Sequence, residues 1–262
     1  MSLSKRVSAI IGVLVFVITF CIGAAAVLIS TGVVKDITTQ SLENQAVLGA
    51  DMIANVVGSQ LLVLQELAAE PQVQSLDWET QYNALVNEID RIGYMDLGIV
   101  SPSGTARYMK GNTTAELGDR DYVQKALAGA AAISDVLISR VTNEPVMMFA
   151  VPIRSGGEVR QVLIGRKNGT FLNETTKDIG IGSGGYAYII NKDGVSISHR
   201  NADYVLEQFA PVEAAKTDPA VSSLAGMVER MLADKQGTGE YMVGGKNIIA
   251  AYAPVSQYQW TL

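Results

Sequence analysis

The stretch from Val7 to Val34 contains no charged residue, and Lys5 and Arg6 stand immediately before it. About 20 apolar residues at 1.5 Å rise cross the ~30 Å hydrocarbon core of a bilayer, so this segment is expected to cross a membrane once. It is far longer than the ~7–15-residue apolar region of a cleaved signal peptide. Ala24-Ala25-Ala26 offers a run of small residues at which a signal could be cut, but the length favours a retained anchor. The preceding Lys/Arg pair places the N-terminus in the cytoplasm and the chain after about residue 34 outside the inner (plasma) membrane, in the periplasm or beyond. Everything downstream then reads as an exported globule carried on one helix.

About 230 residues remain after the anchor, enough for one large domain or two small ones. The net charge is −6, with no Lys/Arg run. Such a surface repels phosphate backbones, so no nucleic-acid partner is expected. The only cysteine, Cys21, lies inside the apolar segment, so the exported part is expected to rely on its hydrophobic core alone. A globule of this size buries roughly 70% of its unfolded surface, which suffices.

From Lys35 to Glu70 there is no proline and little glycine. Leu42, Ala46, Ile53, Val57, Leu64 and Leu67 recur near helical spacing, and Pro71 ends the run. The spacing predicts a helix ~50 Å long, continuous with the membrane span. Its apolar stripe must face the globule, a partner subunit, or both. Trp78, Tyr82, Leu85, Ile89 and Ile92 predict a second amphipathic helix. The period then changes to that of strands: Leu97–Val100, a turn at Ser101-Pro102-Ser103-Gly104, and Thr105–Met109. A short helix around Tyr122–Ala128 and strands at Val146–Ile153 and Val159–Lys167 follow. Ala187–Asn191, the turn Lys192-Asp193-Gly194 and Val195–His199 repeat the first hairpin, so that Ile99-Val100 and Gly104 match Ile189-Ile190 and Gly194. A helix at Val221–Leu232 precedes closing strands at Gly239–Val243 and Ile248–Pro254. The repeat predicts two similar antiparallel α+β units in tandem.

Gly118-Asp119-Arg120-Asp121-Tyr122 with Gln124–Gly129, and Ile133-Ser134-Asp135 through Thr142-Asn143-Glu144-Pro145-Val146 to Ala150-Val151-Pro152-Ile153, resemble the membrane-distal module of double Cache (dCache_1) sensor domains. Gly182–Gly194 resembles the opening of the membrane-proximal module. The resemblance covers residues ~35–262. It implies an α+β chain with a transmembrane helix, a long stalk helix and two PAS-like antiparallel modules, divided at 1–34, 35–77, 78–178 and 179–262. It further implies the extracytoplasmic small-molecule sensor of a bacterial transmembrane receptor, most like a methyl-accepting chemotaxis protein, working as a homodimer. A second span and a cytoplasmic signalling unit are then expected after the strand-like Tyr258–Leu262. The sensor half of a diguanylate cyclase or histidine kinase is the alternative output. A non-binding dimer scaffold and an exported hydrolase are the alternatives of other classes.

The sharpest local motif is Asp119-Arg120-Asp121-Tyr122. Arginine offers a planar fork of donors suited to a carboxylate, and tyrosine a stacking face with a hydroxyl. In the resembled family this Arg/aromatic helix forms one wall of the pocket. The implied ligand-binding set is Tyr108, Arg120, Tyr122, Asp135, Ser139 and Asn168, around a small polar metabolite. The family's amino-acid motif is incomplete. Arg120 matches and Tyr122 takes the first aromatic position, but Val123 takes the second, and Lys167-Asn168 stands where an Asp belongs. Asp135 is the candidate substitute for that negative charge. Met147, Met148 and Phe149 read as core or pocket lining.

No enzyme, metal or cofactor is expected. His199 is the sole histidine, which excludes a two-histidine metal site, and no nucleophile elbow accompanies it; it reads as a strand residue near a turn. Gly180-Ile181-Gly182-Ser183-Gly184-Gly185 satisfies G-x-G-x-x-G, but a strand pattern rather than a helix follows, which argues against a dinucleotide site. Asn191-Lys192-Asp193-Gly194 lacks the Glu that closes a calcium loop and reads as a turn.

Overall fold

The computed structural model describes residues 3–180 and 184–262. One helix, α1 (Leu3–Ala69), runs from the apolar N-terminal segment into the globule. Between residues 14 and 23 it is apolar and exposed, with Phe16 and Phe20 stacked outside any core. From Ala46 onward it packs. Ala46, Ala50, Ile53, Val57, Leu64 and Leu67 are buried, one or two per turn on one side. Each such Ile, Val or Leu contributes about 1.5–3 kcal/mol by leaving water. The expected stripe therefore lies against this chain's own sheets, and the outward side carries different residues: Leu48, Met52 and Leu62 are 68%, 47% and 60% exposed. A salt bridge of 2.6 Å between Lys35 and Glu240 ties the helix to the base of the globule.

The second amphipathic segment is two helices, α2 (Trp78–Leu85) and α3 (Glu88–Arg91), interrupted at Val86-Asn87. Asp77 caps α2, accepting the Thr80 N–H at 2.9 Å. Next come β1 (Asp96–Val100), β2 (Thr105–Tyr108), β3 (Thr114–Glu116), α4 (Asp121–Leu127), β4 (Ala132–Ile133), β5 (Leu137–Ile138), β6 (Pro145–Ser155) and β7 (Glu158–Asn168). These strands form one antiparallel sheet in the order β3-β2-β1-β7-β6-β4, with β5 also paired to β6. The short β3, β4 and β5 were not expected, because two or three residues carry no readable period.

Side-chain alternation along the long strands splits this sheet into two faces. Leu97, Ile99, Met147, Phe149, Val151 and Leu163 join the core that includes α1. Val100, Tyr108, Met148, Ala150, Val162 and Ile164 face α4. Met147 and Phe149 are thus stalk-side core, and Met148 lies on the other face.

After α5 (Asn173–Thr176) the chain builds a second, smaller antiparallel unit. It comprises β8 (Ile189–Asn191), β9 (Ser196–Ser198), α6 (Asp203–Leu206), α7 (Pro211–Ala214), α8 (Ser222–Asp234), β10 (Gly237–Val243), β11 (Lys246–Tyr252), β12 (Pro254–Val255) and β13 (Trp260–Thr261). One sheet runs β12-β13-β8-β9 and the other pairs β10 with β11. The repeated hairpin is present in both units: β1 pairs β2 and β8 pairs β9, antiparallel. Gly104 and Gly194 sit in the two turns at φ +94° and +75°, a conformation that suits glycine. Asn191 closes the second turn, its Oδ1 accepting the N–H groups of Asp193 and Val195. The first strand of this unit begins at Ile189 rather than Ala187, and residues 181–183 of the glycine-rich motif lie outside the described residues.

Candidate functional site

The face of the larger sheet covered by α4 carries two buried charged residues, Asp96 and Arg166, in an otherwise apolar core. β1 and β7 pair with Asp96 opposite Arg166, and the period of two puts both on the α4 side. Tyr108 follows on β2. Gly98 makes room for it: a Cβ there would lie 3.2 Å from the Tyr108 ring and 3.3 Å from Ile164. Asp96 and Arg166 are 1% and 6% exposed and form a salt bridge of 3.2 Å. The Arg166 guanidinium also lies 5.1 Å from the centre of the Tyr108 ring and 3.5 Å from the Ser139 hydroxyl.

Asp96 is held on its other side by the backbone. Its Oδ1 accepts the N–H groups of Leu97 at 2.9 Å and Lys110 at 3.0 Å. Burial nevertheless pushes its carboxyl upward, against the pull of the Lys110 N–H and the Arg166 charge. Burial likewise raises the phenols of Tyr108 and Tyr122, each 3% exposed, so both stay neutral donors at physiological pH.

Arg120 enters from the N-terminus of α4. Its extended backbone (φ −79°, ψ 127°) is that of an N-cap, and its carbonyl accepts the N–H groups of Val123 and Gln124. That geometry turns Arg120 toward β5, where Nη2 lies 3.4 Å from the Ile138 carbonyl, and buries Tyr122 beside Tyr108. Asp119, one residue earlier, is clasped by both terminal nitrogens of Arg140 at 2.7 and 2.6 Å, and this pairing holds its carboxyl down at about 2.

Three arginines therefore meet two carboxylates here. Asp96 is committed to Arg166 and Asp119 to Arg140; among the described residues no carboxylate pairs Arg120. The Nε atoms of Arg120 and Arg166 are buried and have no hydrogen-bond partner. A buried guanidinium donor left unpaired costs about 1–3 kcal/mol. A bound carboxylate or carbonyl oxygen would recover that cost, with Tyr108 and Tyr122 supplying ring faces.

Of the six expected residues, the structure gathers Tyr108, Arg120, Tyr122 and Ser139 at this face. Two point elsewhere. Asp135 accepts the Trp260 indole N–H at 2.6 Å and the Asn191 amide at 2.8 Å. Its carboxylate therefore latches the larger unit to the smaller one, and its orientation cannot supply the negative charge expected beside Arg120. Asn168 sits at the end of β7, its Oδ1 accepting the Thr170 N–H and hydroxyl to close a turn. Its neighbour Lys167 has the opposite parity to Arg166, so its ammonium lies over the rings of Tyr94 and Phe171 and donates to the Gly93 carbonyl at 2.7 Å.

Arg166, Asp96 and Arg140 were not anticipated. The signal for Arg166 was available: a charge directly after the apolar run Val162–Gly165, on the same strand and with the parity of Val162 and Ile164. Among the described residues no group of His, Cys, Asp and Glu could hold a metal ion.

The fold is that of known receptor domains. The ligand-binding domain of the Pseudomonas fluorescens chemoreceptor CtaA, solved with L-serine, superposes with a TM-score of 0.67 at 17% identity, covering 87% of this chain and 96% of that one. The ligand-binding domain of the Pseudomonas aeruginosa amino-acid chemoreceptor PctC, solved with GABA, gives 0.64 at 17% identity over 86% and 97%. The methyl-accepting chemotaxis protein McpA of Bacillus subtilis is 34% identical over 85 residues, which span 32% of this chain and 12% of that protein. The model of the Cache domain family (dCache_1) matches residues 30–262, and the chain belongs to that family.

Proposed function

We propose that the chain is the extracytoplasmic sensing part of a transmembrane chemoreceptor and that it binds a small carboxylate-bearing metabolite between α4 and the larger sheet. The observation that carries this is the pair of buried, unpartnered guanidinium nitrogens on Arg120 and Arg166 beside Tyr108 and Tyr122. The ligand carboxylate takes those donors, as the amino acids named for CtaA and PctC could through their own carboxylates. The sensing module spans residues 78–178, the module after 179 joins it to the membrane, and residues 7–34 anchor the chain with the globule outside. The segment performs no chemistry on its ligand.

Signalling requires only that the ligand prefer one of two receptor states. The sheet that carries Arg166 packs on α1 through its opposite face, so a change between α4 and the sheet has a direct path to the stalk. The chain acts as a homodimer, with Leu48, Met52 and Leu62 of α1 on the subunit interface; their spacing of four and ten fits a 3.5-residue seam.

A thermal-shift screen against amino acids and small organic acids tests the binding claim. A ligand at 100 times its Kd adds about 2.7 kcal/mol to stability and raises Tm. Stabilisation that requires a free carboxylate on the ligand supports the reading. Stabilisation only by compounds lacking an anionic or carbonyl group contradicts it.

A further inference from the structure

The smaller unit holds a cavity of about 460 Å³ between β8, β9, α6 and β10. It is lined chiefly by rings. His199 and Tyr204 lie 4.6 Å apart with their planes tilted by 35°, and Tyr204 and Phe209 lie 4.5 Å apart at 31°. Tyr186 meets His199 edge-on at 5.5 Å, and Tyr188 and Tyr241 complete the wall. His199 is therefore not a plain strand residue near a turn but the centre of an aromatic cluster. A volume of this size accommodates one small organic molecule.

The charge of the lining selects which one. None of the described residues around the cavity is Asp or Glu. One is a cation: Arg200, whose guanidinium lies 4.9 Å from the centre of the Tyr186 ring. His199 is neutral in this setting, because burial and the nearby Arg200 charge lower its pKa more than its bond to Asn201 raises it. Its Nδ1 lies 2.9 Å from the Asn201 N and 3.3 Å from the Asn201 carbonyl oxygen; in the tautomer that accepts the shorter contact, Nε2 carries the ring proton and is a donor. An aromatic cage that took an ammonium would need a negative field; this one has a positive rim. Aromatic walls favour a flat, apolar body, and the Arg200 and His199 donors favour an anionic head.

We propose that this cavity is a second ligand site, separate from the Arg120 site, and that it takes a small aromatic carboxylate: one planar ring stacked among Tyr204, Phe209 and His199, with its carboxylate at Arg200. The proposal does not depend on the α4 site.

The test is calorimetric titration of the full 262-residue chain in lipid nanodiscs with benzoate, with benzyltrimethylammonium as the cationic counterpart. Benzoate is expected to bind with one site per chain, and the ammonium not at all. Arg200 is exposed and Arg200→Ala leaves the core intact, yet it should weaken benzoate by about tenfold or more, as loss of a charge-assisted hydrogen bond does. Tyr204→Ala should weaken it as well, while Arg120→Ala should leave it unchanged. The proposal is overturned if millimolar benzoate gives no binding heat with the folded chain, if the ammonium binds in its place, or if binding survives Arg200→Ala and is lost with Arg120→Ala. That last outcome would place benzoate in the α4 site and leave the first reading standing.

Discussion

Replacing Arg166 with methionine keeps the length of the side chain and removes its charge from beside Asp96, which is 1% exposed. Breaking a buried ion pair from one side costs about 3–5 kcal/mol, because the abandoned charge stays in low dielectric. Here the structure sets a ceiling. Asp96 keeps its two backbone N–H donors and can escape by taking up a proton. Protonating a carboxyl of ordinary pKa ~3.9 at pH 7 costs about 4 kcal/mol, and at pH 5 about 1.5 kcal/mol. The Arg166→Met destabilisation should therefore be about 3–4 kcal/mol at pH 7 and fall to about 1.5–2 kcal/mol at pH 5. The sign follows from proton binding: in the variant the folded state holds a proton on Asp96 that the unfolded state releases, so stability drops as pH rises above the unfolded pKa. Urea unfolding at the two pH values reads it directly, and adding Asp96→Asn to Arg166→Met should recover most of the pH 7 loss. A destabilisation below ~1 kcal/mol at both pH values, or one that does not change with pH, would refute the argument that the pair is dry and mutually dependent.

Three further outcomes follow from other parts of the molecule. Burial depresses the Lys167 ammonium to about 8, below its unfolded value, so the unfolded chain binds the extra proton between about pH 8 and 10.5 and stability should climb with pH across that window. Lys167→Met should flatten that climb relative to the parent chain in unfolding measured at several pH values. Single cysteines at Leu48, Met52 and Leu62, in a Cys21→Ser background in membranes, should crosslink between subunits, whereas cysteines at Ile53, Val57 and Leu64 should not; the reverse pattern would mean that the buried stripe, not the outer one, joins the subunits. Asp135→Ala removes the acceptor for Trp260 and Asn191 and leaves both donors unpaired, so it should cost about 1–3 kcal/mol while leaving ligand affinity at the α4 site within about twofold.

What the sequence made legible was local. The two hairpins announced themselves through turn residues between short apolar runs, and Gly104 and Gly194 occupy the turns at positive φ. The stalk helix was legible because thirty-odd residues lack a breaker before Pro71. The face of that helix was not: Leu42–Leu67 read equally as a subunit seam, and only the packing of strands from three sheets onto α1 decides that it is core. The site divided along the same line. Arg120 and Tyr122 share one helix start, so a short motif exposed them. Arg166 acquires its meaning from register, because β1 places Asp96 opposite it across 70 residues of chain. Asp135 acquires its meaning from docking, since its partners Asn191 and Trp260 belong to the other unit and no local pattern foretells them.

The central claim is that Arg120, with Arg166, receives a ligand carboxylate beside Tyr122. It is tested most directly by calorimetric titration of the chain with an acid found in the screen, comparing the parent with Arg120→Ala and Tyr122→Ala and comparing the acid with its methyl amide. A charge-assisted hydrogen bond contributes about 1.5–3 kcal/mol, so Arg120→Ala should weaken the acid about 10- to 150-fold. Its effect on the amide should be smaller, and Tyr122→Ala should weaken both. Unchanged affinity in both variants, each still folded, would contradict the assignment, as would a ligand whose binding is abolished only by changes after Gly184.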